Sequence, residues 1–159
     1  MPIEPGQRVP SLTMKQATES GDQDIDPSQL FAGKHVILFS VPGAFTPTCS
    51  TKHLPSYVKH HDELKQKGVD LIACLSVNDS FVMQAWAREH EVGDKIVMLA
   101  DGNAAFAKAL GIDADYGPNM GVRARRGVIV FQDGVVKSVD VEERGKYEVS
   151  SAEACLLKL

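Results

Sequence analysis

Cys49 stands near the end of a short loop at 41–50, which reads VPGAFTPTCS and follows the apolar run HVILFS at 35–40. Apolar residues recur at helical spacing after the loop, so the sequence predicts Cys49 at or near the first turn of a helix. Unpaired backbone N–H groups and the positive end of the helix dipole lie there, and both favour a thiolate. Threonine, serine and lysine residues surround the thiol. We therefore predict that Cys49 is a reactive nucleophile and not a buried apolar residue.

Other kinds of cysteine or histidine site do not match the sequence. A thioredoxin-like Cys-x-x-Cys motif needs a cysteine at position 52, which is occupied by Lys52. The local signatures of a papain-type protease are absent, and no two of the five histidines have the His-x-x-x-His spacing of a zinc-binding helix. We expect no metal, and we predict that His60 and His61 lie on a solvated helix face.

Charge and composition argue against several broad classes of protein. The formal net charge is -4, which argues against nucleic acid or an anionic membrane surface as the main partner. No apolar run approaches the ~18 residues that span a bilayer, and the N-terminus lacks a secretory signal pattern. The three cysteines, an odd number, indicate a reducing compartment. The sequence predicts a cytoplasmic protein and is also compatible with a targeting peptide that has been removed.

Apolar and β-branched runs predict the strands. They lie at 35–40, 69–77, 96–100, 127–132 and 135–141, with one short strand at 11–15 inside an N-terminal extension at 1–25. Asp133 and Gly134 form a strong two-residue hairpin signal between the last two strands. The stretch 112–124 contains glycine and proline and is predicted to be a loop.

Helical spacing predicts helices at 26–33, 48–67, 78–90 and 103–110, and a last helix that begins at Ser150. Ser150 and Glu153 have the spacing of a capping box. Pro55 is expected to kink the helix at 48–67. The next helix is expected to bury one apolar face, formed by Phe81, Val82, Ala85 and Trp86.

This order of elements predicts the fold class. Early alternation of strands and helices implies parallel crossovers, and the late hairpin implies an antiparallel edge. We predict one domain over 1–159, an α/β three-layer sandwich with a mixed central sheet and flanking helices. In such sheets the functional edge is where the carboxyl ends of the strands meet helix N-termini, and the loop 41–49 lies there.

The stretch PGAFTPTC at 42–49 matches the Pro-x-x-x-Thr-x-x-Cys signature of the peroxiredoxins. The stretches 39–53, 71–79 and 81–86 are similar to the plant type II and vertebrate class-five (atypical) branch of that family. The resemblance covers nearly the whole chain. It implies a thioredoxin-like fold and thiol-dependent reduction of hydrogen peroxide and organic hydroperoxides, with an external thiol as co-substrate and no other cofactor.

The resemblance also implies roles for site residues. Cys49 would be the peroxidatic cysteine, Thr46 would orient peroxide and thiolate, and Pro42 would shield the pocket from water. The catalytic arginine of the family precedes a late strand, which here is Arg126. The family usually carries an aromatic or similar residue after that arginine, where this chain has glycine, so Arg123 and Arg125 stay alternatives.

The source of the second thiol is left open by the residues. The class-five branch has a resolving cysteine near its C-terminus, at the position of Ser150, and we assign Cys155 to packing. Cys74 follows Cys49 by 25 residues, the spacing of the type II branch, but it lies in an apolar run that predicts a buried strand. We predict resolution by glutathione with glutaredoxin or by thioredoxin, with a Cys49–Cys74 disulfide as the alternative.

Two further expectations concern assembly and function class. The resemblance implies a homodimer through the active-site edge, involving Phe45 and the loop near 78–81. A redox sensor or chaperone-like protein that does not turn over is the alternative from another class, because fold alone does not settle function.

Overall fold

The computed structural model describes residues 1–159 as nine β-strands and six α-helices. The strands are β1 (Met14–Thr18), β2 (Gly21–Ile25), β3 (His35–Val41), β4 (Leu71–Ser76), β5 (Val97–Ala100), β6 (Asp113–Asp115), β7 (Val122–Ala124), β8 (Gly127–Gln132) and β9 (Val135–Val141). The helices are α1 (Pro27–Leu30), α2 (Leu54–Lys59), α3 (His61–Gln66), α4 (Ser80–Glu89), α5 (Ala105–Ala109) and α6 (Ala152–Leu156). A π-helical turn, Cys49–His53, leads directly into α2. None of the helices has the length and apolar character that a membrane span requires.

Seven of the strands form one mixed sheet with the order β2-β1-β5-β4-β3-β8-β9. The pairs β3–β4 and β4–β5 are parallel, whereas the strands on either side of these three pair antiparallel. Strands β6 and β7 form a separate antiparallel pair. Parallel pairing in the centre follows from the helices that connect these strands, because a parallel pair needs a crossover connection.

Helices cover both faces of the seven-stranded sheet. Ile37 and Phe39 of β3 belong to the hydrophobic cluster that includes α2, α3, α4 and α6. Val36 and Leu38, which alternate with them, belong to the cluster that includes residues of α1 and α5. Successive strand side chains point to opposite faces, so a strand buried on both faces has the continuous apolar sequence seen at 35–40. The predicted three-layer α/β sandwich with a mixed sheet is confirmed.

The register of β3 determines where the loop after it lies. Ser40, near the end of β3, pairs with Gly127 at the start of β8. The Ser40 hydroxyl donates a hydrogen bond to the carbonyl oxygen of Arg125 at 2.6 Å. The loop that leaves β3 and the arginines that precede β8 therefore meet at the sheet edge where the parallel strands end, as expected for a functional site in an α/β protein.

The turn between β8 and β9 is formed by Asp133 and Gly134, as predicted. Their φ angles are 49° and 73°, and a type I′ hairpin turn requires positive φ at both positions. Glycine adopts this conformation without steric cost, and aspartate is among the residues that tolerate it.

Two regions contain strands that the sequence did not indicate. The extension forms the hairpin β1–β2, whose first strand pairs with β5, so the single strand predicted at 11–15 is wrong. β2 reads GDQDI and has the polar, charged character of an edge strand, which gives no apolar alternation to detect. The predicted loop at 112–124 contains β6 and β7, each of three residues and too short for a periodic signal.

The predicted long helix at 48–67 is divided differently from the prediction. The chain changes direction at His60, where φ is -97° and ψ is 12°, and not at Pro55. Pro55 lies in the first turn of α2, where a missing backbone N–H costs little. Before it, the N–H of Leu54 donates to the carbonyl of Cys49 and closes the π-helical turn.

Two details of the later helices also differ from the prediction. Helix α4 buries Met83 and Trp86, whereas Phe81 is 75% exposed at its start. The buried stripe of α4 is therefore narrower than its apolar sequence suggests.

Helix α6 is capped by Ser151, whose hydroxyl accepts from the N–H of Ala154 at 3.0 Å, and not by Ser150.

Candidate active site

Cys49 is the first residue of the π-helical turn, and its side chain is fully buried. The preceding residues form a turn in which the N–H of Ser50 donates to the carbonyl of Thr46 at 3.0 Å. On the other side of Ser50, its hydroxyl accepts a hydrogen bond from the indole N–H of Trp86 at 3.0 Å. The backbone around the thiol is thus held by local turns and by one buried side chain of α4.

Arg126 provides the direct contact to the thiol. Its Nη2 donates to Cys49 Sγ at 3.1 Å, and its backbone precedes the first residue of β8. A guanidinium stays protonated at any physiological pH and presents several donors in a fixed plane. A cationic donor in contact with the sulfur is typical of the surroundings of reactive cysteines and is not expected around a cysteine that only packs.

His53 orients the guanidinium from its other side. Arg126 Nη1 lies 2.8 Å from His53 Nδ1, and His53 Nε2 lies 2.9 Å from the carbonyl oxygen of Ser150. Guanidinium only donates and a carbonyl only accepts, so Nδ1 is the acceptor and the proton is on Nε2. Burial, and next the charge of Arg126, lowers the pKa of His53 to about 3. The imidazole is therefore neutral and leaves the positive charge of Arg126 intact.

The carbonyl of Ser150 accepts hydrogen bonds from two buried side chains, His53 and Tyr57. The hydrogen bond from Tyr57 Oη measures 2.8 Å. Tyr57 is fully buried and stacks on Phe39 of β3 with ring centroids 4.1 Å apart. His53 is thereby fixed to the sheet through one carbonyl and one stacked aromatic pair.

Thr46 and Pro42 belong to the loop that leads from β3 to the turn at Cys49. The hydroxyl of Thr46 donates to the carbonyl of Gly43 at 2.7 Å, so its oxygen lone pairs remain free to accept from a substrate. A Cβ at Gly43 would lie 2.8 Å from Arg123 Nη1 and 3.1 Å from Thr46 Cγ2, so a side chain at this position would displace the guanidinium of Arg123. Arg123 itself donates to the carbonyl of Pro42 at 3.3 Å.

The three arginines proposed for the catalytic position have different surroundings. Arg126 contacts Cys49, Arg123 holds the loop at Pro42, and Arg125 Nη2 donates to the carbonyl of Glu142 at 3.2 Å. Gly127 after Arg126 is required by the close approach of β9, since a Cβ there would lie 2.9 Å from the carbonyl of Asp140. Glycine after Arg126, where this chain departs from the family pattern, thus has a packing cause.

The other two cysteines are free thiols in the same hydrophobic cluster as Cys49. Cys74 lies in β4 with no exposed surface, and burial raises its pKa well above the ordinary value for a thiol. Cys155 is 2% exposed in α6, and burial raises its pKa to about 11. Neither thiol has a cationic donor within hydrogen-bonding distance, so both are poor nucleophiles.

An open cleft of about 860 Å³ leads to this group of residues. Its lining residues include Pro42, Thr48 and Arg126, together with Tyr116 and Tyr147. Tyr147 packs edge-on against His53, with ring centroids 5.2 Å apart, and Arg126 Cζ lies 5.9 Å from the centre of its ring. Arg126 thus lines the cleft, whereas the buried Cys49 does not.

Sequence reasoning missed His53, Tyr147 and the anchor at Ser150. The signal for His53 was its position four residues after Cys49, because residues at this spacing share one face of a helix. Tyr147 and Ser150 lie in the irregular segment between β9 and α6, where no periodicity indicates which side chains point inward.

Comparison with known proteins agrees with this geometry. The sequence model of the Redoxin family matches residues 4–156. Peroxiredoxin-2E, chloroplastic, from Arabidopsis thaliana is 46% identical over an alignment of 162 positions, which covers 99% of this chain and 69% of the relative. Peroxiredoxin-2B from the same plant is 43% identical and is covered to 99%, as is this chain. The chain belongs to the peroxiredoxin family.

A solved peroxiredoxin structure supports the same assignment at the level of fold. Reduced Prx3 from Vibrio vulnificus, crystallised in complex with hydrogen peroxide, matches with a TM-score of 0.94 at 48% identity, over 98% of both chains. The thioredoxin-like fold and the family predicted from the loop motif are confirmed. This peroxiredoxin is a thiol-dependent peroxidase, an oxidoreductase that acts on peroxides.

Proposed function

We propose that Cys49 is the peroxidatic cysteine, and that Thr46, Arg126 and Pro42 complete the site. The observation that carries the proposal is the 3.1 Å hydrogen bond from Arg126 Nη2 to Cys49 Sγ. The Cys49 thiolate attacks one peroxide oxygen, an S–O bond forms and the O–O bond breaks. Sulfur loses two electrons and becomes a sulfenic acid, and the leaving oxygen takes a proton and departs as water or an alcohol.

Each partner has a role that its geometry supports. Negative charge develops on the leaving oxygen, and the guanidinium of Arg126 is the donor that stabilises it. The lone pairs of the Thr46 hydroxyl accept from the peroxide O–H, since the hydroxyl proton is committed to Gly43. Pro42 covers the site without adding a backbone N–H donor that would compete for the thiolate.

We also propose that both hydrogen peroxide and organic hydroperoxides are substrates. The cleft of about 860 Å³ is far larger than hydrogen peroxide needs, given that a water molecule takes up about 30 Å³ of liquid. Most of its lining is polar or charged, and the rings of Tyr116 and Tyr147 provide the surface against which the organic part of a larger hydroperoxide would pack.

The reductant in this proposal is an external thiol, either glutathione with glutaredoxin or thioredoxin. The sulfenic acid and the external thiol form a mixed disulfide and release water, and a second thiol then frees Cys49 and leaves as a disulfide. Cys74 and Cys155 are both buried in the hydrophobic core, and a strand holds Cys74. A Cys49–Cys74 disulfide would require local unfolding of the turn at Cys49, and it stays the alternative.

Assembly and location complete the proposal. We propose a single domain that forms a homodimer through the active-site edge, where Phe45 and Phe81 are 51% and 75% exposed. The Ala44 N–H donates to Asn78 Oδ1 at 3.0 Å and ties the two loops together. Cytoplasm is the proposed location, with the chloroplast as the alternative that the names of two relatives suggest. No prosthetic group, nucleic acid or membrane partner is part of the proposal.

Steady-state consumption of hydrogen peroxide, with each reductant in turn, tests the proposal. Cys49→Ser should abolish turnover, whereas Cys155→Ala should keep most of it because Cys155 is a packing residue of α6. Full turnover by Cys49→Ser would overturn the assignment of the nucleophile. A single stoichiometric oxidation with no turnover by any thiol would instead favour the redox-sensor alternative.

A further inference from the structure

Glu142 is a buried carboxylate beside the site, although the peroxidase mechanism does not use it. It directly follows β9 and is 4% exposed. One of its oxygens, Oε2, accepts from the backbone N–H groups of Glu148, Val149 and Ser150 at 2.8, 2.8 and 2.9 Å, and from the Ser150 hydroxyl at 2.7 Å. The carboxylate therefore closes the segment 142–150 into a loop around itself.

A continuous series of hydrogen bonds leads from this carboxylate to the thiol. Glu142 fixes Ser150, and the Ser150 carbonyl accepts from His53 Nε2 at 2.9 Å. His53 Nδ1 accepts from Arg126 at 2.8 Å, and the other nitrogen of that guanidinium donates to Cys49 Sγ at 3.1 Å. Each group in the series is held by the one before it.

A second connection joins Glu142 to Arg126 through the backbone. The N–H of Glu142 donates to the carbonyl of Arg126 at 2.8 Å, across the start of β8 and the end of β9. Hydrogen bonds thus link Glu142 directly to the main chain of Arg126 and, through Ser150 and His53, to the end of its side chain. Such a two-point arrangement fixes the direction of a long side chain that has several rotatable bonds.

The carboxylate does this without neutralising the arginine. No lysine or arginine nitrogen lies within 4.0 Å of its oxygens, so its charge is directed to backbone N–H groups. A direct ion pair with Arg126 would offset the positive charge that the thiolate and the leaving oxygen require. Because the neutral imidazole of His53 lies between Glu142 and Arg126, the carboxylate can orient the guanidinium without offsetting its charge.

The protonation state of Glu142 agrees with this arrangement. Burial alone would raise the pKa of the carboxyl, but the hydrogen bonds from the Ser150 hydroxyl and the three backbone N–H groups outweigh it and lower the pKa. Glu142 is therefore a carboxylate at neutral pH, and all its hydrogen bonds are charge-assisted.

We propose that Glu142 is a positioning residue for the peroxidase reaction, which orients the catalytic guanidinium of Arg126 through the Ser150 carbonyl and His53. This inference rests on the proposed function, in which Arg126 stabilises the reacting oxygen. The carboxylate of Glu142 makes no hydrogen bond to the thiol or to the guanidinium, so it acts on the reaction through the Ser150 carbonyl and His53.

The test uses a graded pair of variants and a matched control. Glu142→Gln keeps the shape and one acceptor oxygen but loses the charge, and Glu142→Ala removes every acceptor. We expect the rate constant for oxidation of Cys49 by hydrogen peroxide to fall about tenfold in the first and about a hundredfold in the second, the loss that a displacement of 1 Å brings. Glu143→Gln removes the same charge from the next residue, which is exposed and paired only with Lys146, and it should stay within about twofold of wild type.

A double-mutant comparison distinguishes positioning from a merely structural role. If Glu142 acts through the guanidinium, adding Glu142→Gln to Arg126→Gln should change the rate by less than about twofold, because the group to be oriented is gone. ¹⁵N spectra of the imidazoles provide an independent readout, since loss of the Ser150 anchor should remove the Nε2–H signature of His53 in Glu142→Gln.

The outcomes separate this inference from the proposed function. An unchanged rate in Glu142→Gln, or a tenfold loss that persists in the Arg126→Gln background, would overturn the positioning role and leave Cys49 as the nucleophile. Turnover that survives Cys49→Ser would overturn the function instead. Should Glu142→Ala fail to fold, the Glu142→Gln pair with and without Arg126 decides the question by itself.

Discussion

Cys49 and Cys74 lie in the same hydrophobic cluster, and neither side chain has any exposed surface. Cys74 lies in the middle of β4, where its neighbours are Phe39 of β3 and Met98 of β5. Cys49 begins a π-helical turn that follows a loop, and a guanidinium nitrogen contacts its sulfur. Burial is common to both thiols, so it cannot be what distinguishes the proposed nucleophile, Cys49, from Cys74. The cationic donor and the backbone setting make the difference.

The backbone setting matters because sulfenic acid chemistry needs a second thiol to reach the sulfur. A central strand is held on both sides by backbone hydrogen bonds, and it opens only when much of the sheet opens. A turn at the end of a loop is held by fewer contacts and opens locally. The proposed nucleophile thus lies in a turn that can open locally, whereas Cys74 lies in a strand that cannot.

Removal of the guanidinium should give the largest effect and tests the first half of this comparison. Arg126→Gln leaves Cys49 as buried as Cys74 and equally without a cationic donor. We expect the rate constant for peroxide reduction to fall by about 10²–10³, the usual cost of losing one preorganised donor in an active site. Arg125→Gln, which removes the same charge one residue earlier, should cost far less because the guanidinium of Arg125 donates to the Glu142 carbonyl and not to the thiol.

Stopped-flow kinetics of the two arginine variants measure this difference. Equal losses in Arg126→Gln and Arg125→Gln would mean that general positive charge, and not the contact at 3.1 Å, makes Cys49 reactive. The difference in reactivity between Cys49 and Cys74 would then depend on their backbone surroundings alone.

The sequence predicted the positions of the two cysteines better than the position of the arginine that distinguishes them. A loop motif and a strand periodicity are local patterns, and they placed Cys49 and Cys74 correctly in the fold. The position of Arg126 depends on the pairing of β3 with β8, residues far apart in the chain, and it came from family resemblance. No local pattern indicated it.

The segment 142–150 could not be predicted from sequence at all. Its conformation is set by one carboxylate, Glu142, which accepts backbone N–H groups six to eight residues away. Irregular segments of this kind have neither helical nor strand periodicity. The same lack of pattern shifted the predicted cap of α6 from Ser151 to Ser150, since adjacent serines both fit a helix start.

The neutral imidazole behind Arg126 should make the stability of the protein depend on pH. The pKa of His53 is lowered to about 3 by burial and then by the charge of Arg126, against 6.5 for an unperturbed histidine. The unfolded chain therefore binds a proton between these values that the folded protein does not. Stability from this group is complete above pH 6.5 and is lost as the pH falls toward 3. We expect a loss of about 2 kcal/mol between pH 7 and pH 5.

Chemical denaturation at the two pH values measures this loss, with His53→Gln as the control. A glutamine amide can accept from Arg126 and donate to Ser150 but does not titrate. The decrease in the free energy of unfolding between pH 7 and pH 5 should therefore be about 2 kcal/mol smaller in this variant. An equal decrease in both proteins would show that His53 is not neutral when folded.

The hydrogen bond from Trp86 to Ser50 should have a smaller effect, and it tests how the turn at Cys49 is held. Ser50→Ala leaves the indole N–H of a fully buried tryptophan without its acceptor at 3.0 Å. We expect the free energy of unfolding to fall by about 1–2 kcal/mol, the cost of one unsatisfied buried donor. Trp86 is the single tryptophan of the chain, so its fluorescence follows the transition directly. Ser20→Ala, at an exposed position, should be neutral.

Cys74→Ser should have the smallest effect and tests the second half of the comparison. A thiol held in β4 should not reach the Cys49 sulfenic acid, so reduced protein treated with one equivalent of peroxide should gain one oxygen and keep its thiols at Cys74 and Cys155. Turnover with an external thiol should then be nearly equal in wild type and Cys74→Ser. Intact-mass measurement provides the decisive contrast, because an internal disulfide would appear as the loss of two hydrogens. If that loss occurs in wild type and disappears in Cys74→Ser, β4 opens far enough for Cys74 to reach Cys49, and the difference in mobility between the turn and the strand is contradicted.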